Sequence, residues 1–368
     1  MNRVLESCLL SLAACCALAC GTEPKRAEAP KTSPSVRWLG RVDLSSEKPQ
    51  FAWSGTGLVA KVSGTTLSVN LSSQGTSDDV YFQPVVDGAP VARVKLPPGE
   101  HTLGLASGLA PGPHTLELYR ETEGNHGVST FAGFVEGTLE PTPAAPERLL
   151  EVIGDSISAG YGNLGSEQHP NFGPDPSGGC HFTTETESAY LSYGASAARA
   201  LGAEASIIAL SGWGAYRDYG GSTENVLSRV YGNTLGTTST PAWNFERKAH
   251  VVVINLGTND FSHGDPGQSE FRNAYSALLS TVRGKYPEAW IFCMIGPMLY
   301  GDGLSAATAS ITSIVADAKT QGDAKVRVLD VGQQDASRGT GCDWHPNAAT
   351  HGMLATRLAT EIRSTVGW

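Results

Sequence analysis

The apolar pattern of this chain changes once, at the proline-rich stretch 141–146. Before this stretch, apolar and polar residues alternate in short segments that turn-forming residues separate, among them 66–71, 91–96 and 114–119. Alternation of this kind is typical of strands with one buried face, so it favours an antiparallel, all-β sandwich or jelly roll. After the stretch, compact apolar runs occur at 149–153, 205–210, 250–256, 290–295 and 326–331. Such runs predict strands that are covered on both faces, as in a parallel sheet.

Helical segments are predicted between or after most of these apolar runs. The predicted helices span 188–201, a segment that starts at Asp265-Pro266, 304–321, and a final segment after Pro346. In the second helix we expect Asp265 to cap the first turn and Pro266 to occupy the first helical position. Strands that alternate with helices indicate a mostly parallel, doubly wound α/β sheet.

The first 20 residues predict export from the cytoplasm. The apolar run from 4 to 19 has the length of a signal-peptide core and is too short to span a bilayer comfortably. Small residues precede both Cys15 and Cys20, as in bacterial lipoproteins whose cysteine becomes the lipidated first residue. We therefore expect attachment to a membrane through an N-terminal lipid, at the cell surface or in the periplasm; plain secretion is the alternative.

The length of 368 residues allows two domains. The predicted organisation is a lipoprotein-like signal peptide over 1–20, a flexible tether over 21–36, a β-sandwich or jelly-roll domain over 37–142, a linker over 143–148 and an α/β domain over 149–368. We expect the protein to be a monomer.

The charge balance argues against nucleic acid as a partner. The chain carries 26 Lys and Arg against 36 Asp and Glu, a net charge of −10, so it lacks the positive potential that phosphate backbones require. The histidines form no spacing typical of metal ligands, and we expect no metal and no cofactor. A GxGxxG match at 160–165 follows the strand end by several residues, which disfavours a dinucleotide site. Neutral substrates such as sugar esters fit this composition better.

The candidate active site follows from the position of a few residues at strand ends. In an open parallel sheet, ligands bind beyond the carboxyl ends of the strands. Ser156 follows the first apolar run, Gly212 the second and Asn259 the third, while His345 precedes the last helix. A serine hydroxyl is a poor nucleophile until a base takes its proton, and His345 is the histidine that these motifs place for that purpose.

Four sequence blocks resemble those of the GDSL/SGNH hydrolase superfamily, whose catalytic domain is flavodoxin-like. The blocks are GDSIS at 154–158, the glycine turn at 212, GTND at 257–260 and DWHP at 343–346. The β-rich segment before them, with SAYLSYG at 188–194 and SGWGAYR at 211–217, is similar to carbohydrate esterase family two, in which a jelly roll precedes an SGNH domain. The resemblance implies a serine esterase that removes O-acetyl groups from acetylated xylan or glucomannan through an acyl-enzyme intermediate.

Two other classes of function remain open at this point. One is a lipase, arylesterase or thioesterase of the same superfamily, acting on esters without a carbohydrate. The other is a non-catalytic, cell-surface protein that binds glycans.

The resemblance also implies a role for each motif residue. Ser156 would be the nucleophile and His345 the base. The oxyanion hole would consist of the backbone amides of Ser156 and Gly212 and the side-chain amide of Asn259, with Gly214 as the second candidate for the middle donor. We expect the positive end of a final helix that opens at Pro346 to disfavour a charged imidazolium.

One position departs from the superfamily pattern. Most members carry an aspartate three residues before the histidine, and this chain has Cys342 there. Asp343, two residues before His345, is either a third catalytic member or a carboxylate that caps the final helix. A third arrangement, known in the carbohydrate-esterase family, is a Ser/His pair whose histidine is oriented by a backbone carbonyl.

Cysteines and aromatic residues complete the candidate site. Cys342 has a candidate disulfide partner in Cys180, because an exported pair is expected to oxidise; two unpaired thiols are the alternative. Cys293 lies in an apolar run and is expected to be a buried free thiol. Trp213 and Trp344 flank the candidate catalytic residues and would either stack on a sugar ring or pack in the interior. The same alternatives apply to Tyr161, Tyr216 and Tyr219.

Overall fold

The structure, a computed structural model, describes residues 36–165 and 180–368. The predicted signal peptide, the two candidate lipidation sites Cys15 and Cys20, and nearly all of the predicted tether lie outside the described residues. In the part that is described, no helix combines the length and the apolar character needed to cross a membrane.

The N-terminal part is an antiparallel, all-β structure, as the alternating pattern predicts. Its strands are β1 Arg37–Leu39, β2 Val42–Asp43, β3 Gln50–Phe51, β4 Gly57–Gln74, β5 Val80–Val86, β6 Ala89–Pro90, β7 Val94–Leu96, β8 Gly99–Ser107, β9 Pro113–Arg120 and β10 Val128–Glu140. They hydrogen-bond into one ten-stranded sheet. The 18-residue strand β4 connects it: its first half pairs with β9, its second half with β8, and β10 follows both halves.

The C-terminal part contains the predicted parallel sheet. Its strands are β11 Leu149–Gly154, β12 Glu204–Ala209, β15 Val251–Asn255, β16 Trp290–Ile295 and β17 Val326–Asp330, and a hairpin of β13 Asn233–Leu235 and β14 Thr238–Ala242 lies outside it. All neighbours are parallel in the order β12-β11-β15-β16-β17. The five apolar runs of the sequence are these five strands, so the prediction of a doubly wound parallel sheet is confirmed.

Helices cover both faces of the parallel sheet. They are α1 Ser156–Ala159, α2 Tyr193–Ala200, α3 Leu227–Val230, α4 Gln268–Lys285, α5 Gly301–Thr320 and α6 Ala348–Val366. Buried side chains of α4 and α5 pack with one face of the strands, and those of α2 and α6 pack with the other. This arrangement buries both faces and leaves the carboxyl ends of the strands to form a site.

The predicted start of α5 at 304 is three residues late, because this helix begins at Gly301, and the other three predicted helix starts are also wrong. Helix α2 begins at Tyr193 rather than at 188. Helix α4 begins at Gln268, because the Asp265 carboxylate accepts the Gly267 N–H at 2.9 Å in a turn that precedes the helix. Helix α6 begins at Ala348 rather than at Pro346. In the last three cases the local signals suit a turn as well as a helix, and hydrogen bonds made by side chains at the observed starts decide between them.

A buried ion pair joins the two sheets. Arg41, which follows β1, donates to the Glu151 carboxylate of β11 at 3.3 Å, and exposure is 0% for the arginine and 1% for the glutamate. The hydroxyls of Tyr231 and Tyr286 donate to the same carboxylate at 2.8 and 3.0 Å. Desolvated charges are costly unless hydrogen bonds compensate them, and here three donors share one carboxylate.

Replacing Glu151 with alanine is expected to destabilise the fold strongly. The substitution leaves the Arg41 charge buried without its partner, which typically costs about 3–5 kcal/mol of unfolding free energy. Chemical denaturation measures the loss. Glu224→Ala is the control. Glu224 forms an ion pair with Arg229 at 2.8 Å on the exposed surface, and such pairs contribute about 0–1 kcal/mol. Equal losses in the two variants would contradict a special role for the buried pair.

Candidate active site

Ser156 lies where β11 turns into α1. The Asp155 side chain caps this short helix by accepting the Ile157 N–H at 3.0 Å, so the chain turns sharply directly after the strand. A Cβ at Gly154 would lie 2.1 Å from the Ser158 hydroxyl, so glycine is required for this close turn. The turn presents Ser156 at the carboxyl end of the sheet, only 6% exposed.

His345 contacts Ser156 and a backbone carbonyl. Its Nε2 lies 2.8 Å from the Ser156 hydroxyl oxygen, and its Nδ1 lies 3.0 Å from the carbonyl oxygen of Asp343. A carbonyl can only accept, so a neutral imidazole carries its proton on Nδ1 and directs the Nε2 lone pair at the serine. In this arrangement His345 can accept the hydroxyl proton of Ser156.

The Asp343 carboxylate is engaged away from the histidine. It accepts hydrogen bonds from the Tyr161 hydroxyl at 2.9 Å, the His181 ring at 2.9 Å and the Phe182 N–H at 3.0 Å. The expectation that this carboxylate completes a triad is therefore wrong, because the backbone of Asp343, and not its side chain, contacts the ring. The alternative that it caps the last helix is also wrong, since Asn347 makes that bond to the Thr350 N–H at 2.9 Å.

An unusual backbone turn supplies this carbonyl. Asp343 and Trp344 both adopt left-handed conformations, with φ of 48° and 59°, although L-residues other than glycine rarely do so. Cys342, directly before them, forms a disulfide with Cys180, as the sequence predicts for this pair. The Cys342 N–H also donates to the Gly162 carbonyl at 2.9 Å, and the Asp343 N–H to the Cys180 carbonyl at 2.8 Å. These bonds hold the strained turn in place.

Burial keeps His345 neutral. It lowers the pKa of the imidazole to about 4, because the site shields a charged ring from water. The sequence-based expectation named a different cause, the positive end of a helix that opens at Pro346, and that helix starts later than expected. Cys293, by contrast, is a buried free thiol whose pKa burial raises to about 12, which leaves it inert.

The depressed pKa of His345 leads to a pH prediction. Only the neutral ring can accept a proton, so activity is lost as the pH falls through the pKa of about 4. We expect kcat/KM, which reports the free enzyme, to stay level from neutral pH to about pH 5 and to decline below that value. A pH-rate profile measures it. A half-maximal value near pH 6.5, the range of an ordinary histidine, would contradict the burial of this ring.

A cavity of about 830 Å³ opens above Ser156 and His345. Gly212 and Asn259 line it from the ends of β12 and β15, as the strand-end positions predict. The Asn259 side-chain amide donates one hydrogen bond to the Trp213 carbonyl at 2.8 Å, and the second hydrogen of the NH₂ group is left for a ligand. The arrangement can thus offer donors to a negatively charged oxygen in the cavity that Ser156 lines.

The turn after β12 is anchored by Asp260, whose role the sequence did not reveal. Its carboxylate accepts three backbone N–H groups, those of Ala215 at 3.0 Å, Tyr216 at 2.7 Å and Arg217 at 3.0 Å. Gly214 packs so closely on it that a Cβ would lie 2.6 Å from a carboxylate oxygen. Gly214 therefore packs behind the turn, and the alternative that it is the oxyanion donor is disfavoured.

Gly212 adopts a backbone conformation that favours glycine. A Cβ there would point into open space, with no protein atom within 4 Å. The backbone φ of 79° lies in the left-handed region that favours glycine.

The aromatic residues divide between the cavity and the interior. Trp344, 52% exposed, and Tyr219, 60% exposed, line the cavity, as does Tyr161, whose ring centre lies 4.3 Å from that of His345. Trp213 and Tyr216 instead pack partly buried against the core of the parallel-sheet domain. Of the two alternatives left open for Trp213, this contact with the core favours packing over stacking. In residues 36–165 and 180–368, no cluster of His, Cys, Asp or Glu is arranged to hold a metal ion.

Comparison with known proteins defines the family. Residues 38–146 match the model of the carbohydrate esterase 2 N-terminal domain, and residues 152–353 match the GDSL-like lipase/acylhydrolase family. The structure resembles that of a family two carbohydrate esterase from Clostridium thermocellum in complex with cellohexaose, with a TM-score of 0.84 and 40% identity over 91% of this chain and 100% of that one. The chain belongs to carbohydrate esterase family two.

Other relatives of this chain have names that state their activities. The chain is 40% identical over 91% of its length to the cellulase/esterase CelE of Acetivibrio thermocellus, but it spans only 40% of that longer protein. It is 27% identical to an acetylxylan esterase/glucomannan deacetylase of Cellvibrio japonicus, over 92% of this chain and 90% of that one. A solved family two carbohydrate esterase from Cellvibrio japonicus has a TM-score of 0.80 at 26% identity, over 92% and 97% of the two chains.

Proposed function

We propose that this chain is a serine esterase that removes O-acetyl groups from plant cell-wall polysaccharides such as acetylated xylan and glucomannan. The observation that carries the proposal is the contact of 2.8 Å between the Ser156 hydroxyl and Nε2 of His345, at the base of an open cavity. The relatives named for acetylxylan esterase and glucomannan deacetylase activity support the substrate class.

In the proposed acylation step, Ser156 Oγ attacks the ester carbonyl carbon and His345 Nε2 takes the hydroxyl proton. The carbonyl oxygen becomes an oxyanion, which accepts from the backbone amides of Ser156 and Gly212 and the side-chain amide of Asn259. When the tetrahedral intermediate collapses, the bond to the sugar oxygen breaks and His345 returns its proton to that oxygen. The products are a deacetylated hydroxyl and acetyl-Ser156.

In the proposed deacylation step, His345 takes a proton from water while the water oxygen attacks the acetyl carbon. Collapse of the second intermediate breaks the bond to Ser156 Oγ, which recovers its proton from His345. Acetic acid leaves and the enzyme is regenerated. The Asp343 carbonyl stabilises the imidazolium in both steps, because the Nδ1–H points at it throughout.

The surroundings of the cavity suit a neutral sugar chain. Exposed Trp344 and Tyr219 at its rim offer flat apolar surfaces on which a pyranose ring can stack. The proposal also includes a jelly-roll topology for the N-terminal sheet, the domain boundaries set out above, a monomeric state, and export with anchoring through a lipidated cysteine near the N-terminus.

Acetate release tests the proposal. The full chain is incubated with acetylated xylan, acetylated glucomannan and nitrophenyl esters of short and long acids, and acetate or nitrophenol is measured. We expect release from the polysaccharides and a preference for acetyl over long acyl groups. A preference for long acyl chains would favour the alternative of a lipase or thioesterase.

A glycan-binding role of the same cavity is the second candidate. It is favoured by the relative at 40% identity that was solved with cellohexaose. If a cellulose-like chain occupies the cavity of this protein, cellohexaose should inhibit nitrophenyl acetate hydrolysis competitively, and Trp344→Ala should weaken that inhibition. Cellohexaose binding by calorimetry without any ester hydrolysis would favour a binding protein over an esterase.

A further inference from the structure

Three glutamates lie buried between the two domains, and one of them contacts a residue of the cavity. Glu121 and Glu123 follow strand β9 of the N-terminal sheet, and Glu187 precedes helix α2; all three have 0% exposure. The Glu123 carboxylate accepts the Ser211 N–H at 2.6 Å, across 88 positions of sequence. Ser211 and the next residue, Gly212, both line the cavity.

We propose that Glu123, supplied by the N-terminal domain, is a positioning residue that holds the Gly212 peptide in the orientation needed to bind the oxyanion. The inference rests on the proposed function, in which the Gly212 N–H is one of the oxyanion donors. It makes the N-terminal domain a working part of the active site.

The location of β12 explains why an outside partner is needed. β12 is an edge strand of the parallel sheet. Just after the end of β12, the Leu210 N–H donates to the Gly154 carbonyl of β11 at 3.3 Å, and this is the last bond between the two segments. Ser211, one residue further, lies past the end of this pairing. The Ser211 N–H is only part-buried, but it has no partner left in the sheet, and the carboxylate from the other domain provides the acceptor.

The Gly212 N–H lies between two fixed points. On one side, Glu123 holds the Ser211 N–H. On the other, the Gly212 carbonyl accepts the Tyr219 N–H at 2.8 Å. The peptide plane that carries the Gly212 N–H links these points, so its rotation is restricted by both bonds. If the first bond is removed, this plane can rotate at Ser211 and move the donor off the oxyanion.

Glu123 is itself held rigidly. Its backbone N–H donates to the Glu187 carboxylate at 3.1 Å. Its carbonyl accepts from the buried Arg120 guanidinium at 3.3 Å, and the same guanidinium binds the Thr122, His126 and Gly127 carbonyls at 2.8–3.1 Å. These bonds fix the loop after β9 as one unit. Burial raises the pKa of both Glu123 and Glu187, and at Glu187 the negative charge of Glu123 raises it further, while the positive charge of Arg120 lowers it.

Substitutions at Glu123 separate positioning from stability. We expect Glu123→Leu to lower kcat for nitrophenyl acetate by about tenfold to a hundredfold, less than the loss of a whole oxyanion donor, with KM changed less than about threefold. Glu123→Gln keeps an oxygen that can accept the Ser211 N–H and should restore kcat to within about threefold. Should the leucine variant not fold, Glu123→Asp, whose carboxylate is shorter by one methylene, replaces it.

Glu121→Leu is the matched control. Glu121 is equally buried and lies on the same segment, but its carboxylate accepts from the Tyr190 N–H at 3.4 Å, away from the cavity. The melting temperature of Glu121→Leu should fall as much as that of Glu123→Leu, while its kcat stays close to that of the unmodified protein. Equal kcat losses in the two leucine variants, or no recovery in Glu123→Gln, would overturn the proposal.

A second measurement does not depend on the glycan. A fluorophosphonate reacts with Ser156: a bond forms between phosphorus and Ser156 Oγ, and fluoride leaves. The serine proton passes to His345 and then to water. In this reaction the phosphoryl oxygen takes the position of the oxyanion. The labelling rate should fall in Glu123→Leu by the same factor as kcat/KM. An unchanged labelling rate in Glu123→Leu would overturn the positioning role. The proposed function is tested separately, because it fails if the unmodified protein releases no acetate.

Discussion

Replacement of Ser156 or His345 with alanine is expected to abolish ester hydrolysis. Each residue supplies a group that the other cannot replace, the attacking oxygen and the base 2.8 Å away. In comparable serine hydrolases, losing either group lowers kcat by about 10⁶-fold, and the double variant is hardly worse than either single one. Initial rates with nitrophenyl acetate measure the loss. Additive effects in Ser156→Ala/His345→Ala would contradict a single catalytic unit.

Asp343→Asn distinguishes a carbonyl-oriented pair from a triad. Asparagine keeps the shape of the side chain and tolerates the left-handed backbone at this position. A carboxylate bonded to the histidine ring would lose about 10⁴-fold in kcat on this change. Because the backbone carbonyl of Asp343 makes the bond here, we expect the variant to retain an appreciable fraction of activity, with a loss below about a hundredfold.

Asn259→Ala is expected to have the next largest effect. The substitution removes a side-chain amide that faces the cavity beside Ser156, and the loss of one such donor typically lowers kcat by about 10²–10³-fold. Since the donor acts on charge that develops in the transition state, KM should change little. Steady-state kinetics with nitrophenyl acetate separate the two constants.

The Asn259 variant needs a stability control, because the side chain also donates to the Trp213 carbonyl at 2.8 Å. We expect its melting temperature to fall modestly while kcat falls steeply. Thr258→Ala alters the preceding residue of the same turn, and its melting temperature is compared with that of Asn259→Ala. A loss confined to KM, or a kcat loss below about tenfold, would argue that this amide does not bind the oxyanion.

The catalytic pair could be predicted from sequence because of a general property of parallel sheets. Residues at the carboxyl ends of different strands meet at one edge, however far apart they are along the chain. Ser156 and His345 are 189 positions apart, and the structure brings them within hydrogen-bond distance. The five strands could be predicted for a related reason, since burial on both faces produces uninterrupted apolar runs.

Other features depend on contacts that no local pattern records. The Asp343 carboxylate and carbonyl have different partners, and which of them contacts His345 is decided by the left-handed turn at 343 and 344. Glu123 contacts Ser211 from another domain, and nothing in the sequence around Glu123 distinguishes it from a surface glutamate. The start of α4 at Gln268 likewise depends on which backbone N–H the Asp265 side chain binds.

Because a backbone carbonyl orients His345, the positions at which substitutions impair the site differ from those of a catalytic triad. A side-chain substitution at Asp343 cannot delete this main-chain oxygen, so it can affect His345 only through the turn, which the left-handed backbone and the bonds of the Asp343 carboxylate shape. The vulnerable points are instead the groups that shape the turn, above all the crosslink between Cys180 and Cys342. Mutation or chemical reduction of this disulfide would then abolish activity as the loss of a catalytic residue does, although the disulfide itself takes no part in the reaction.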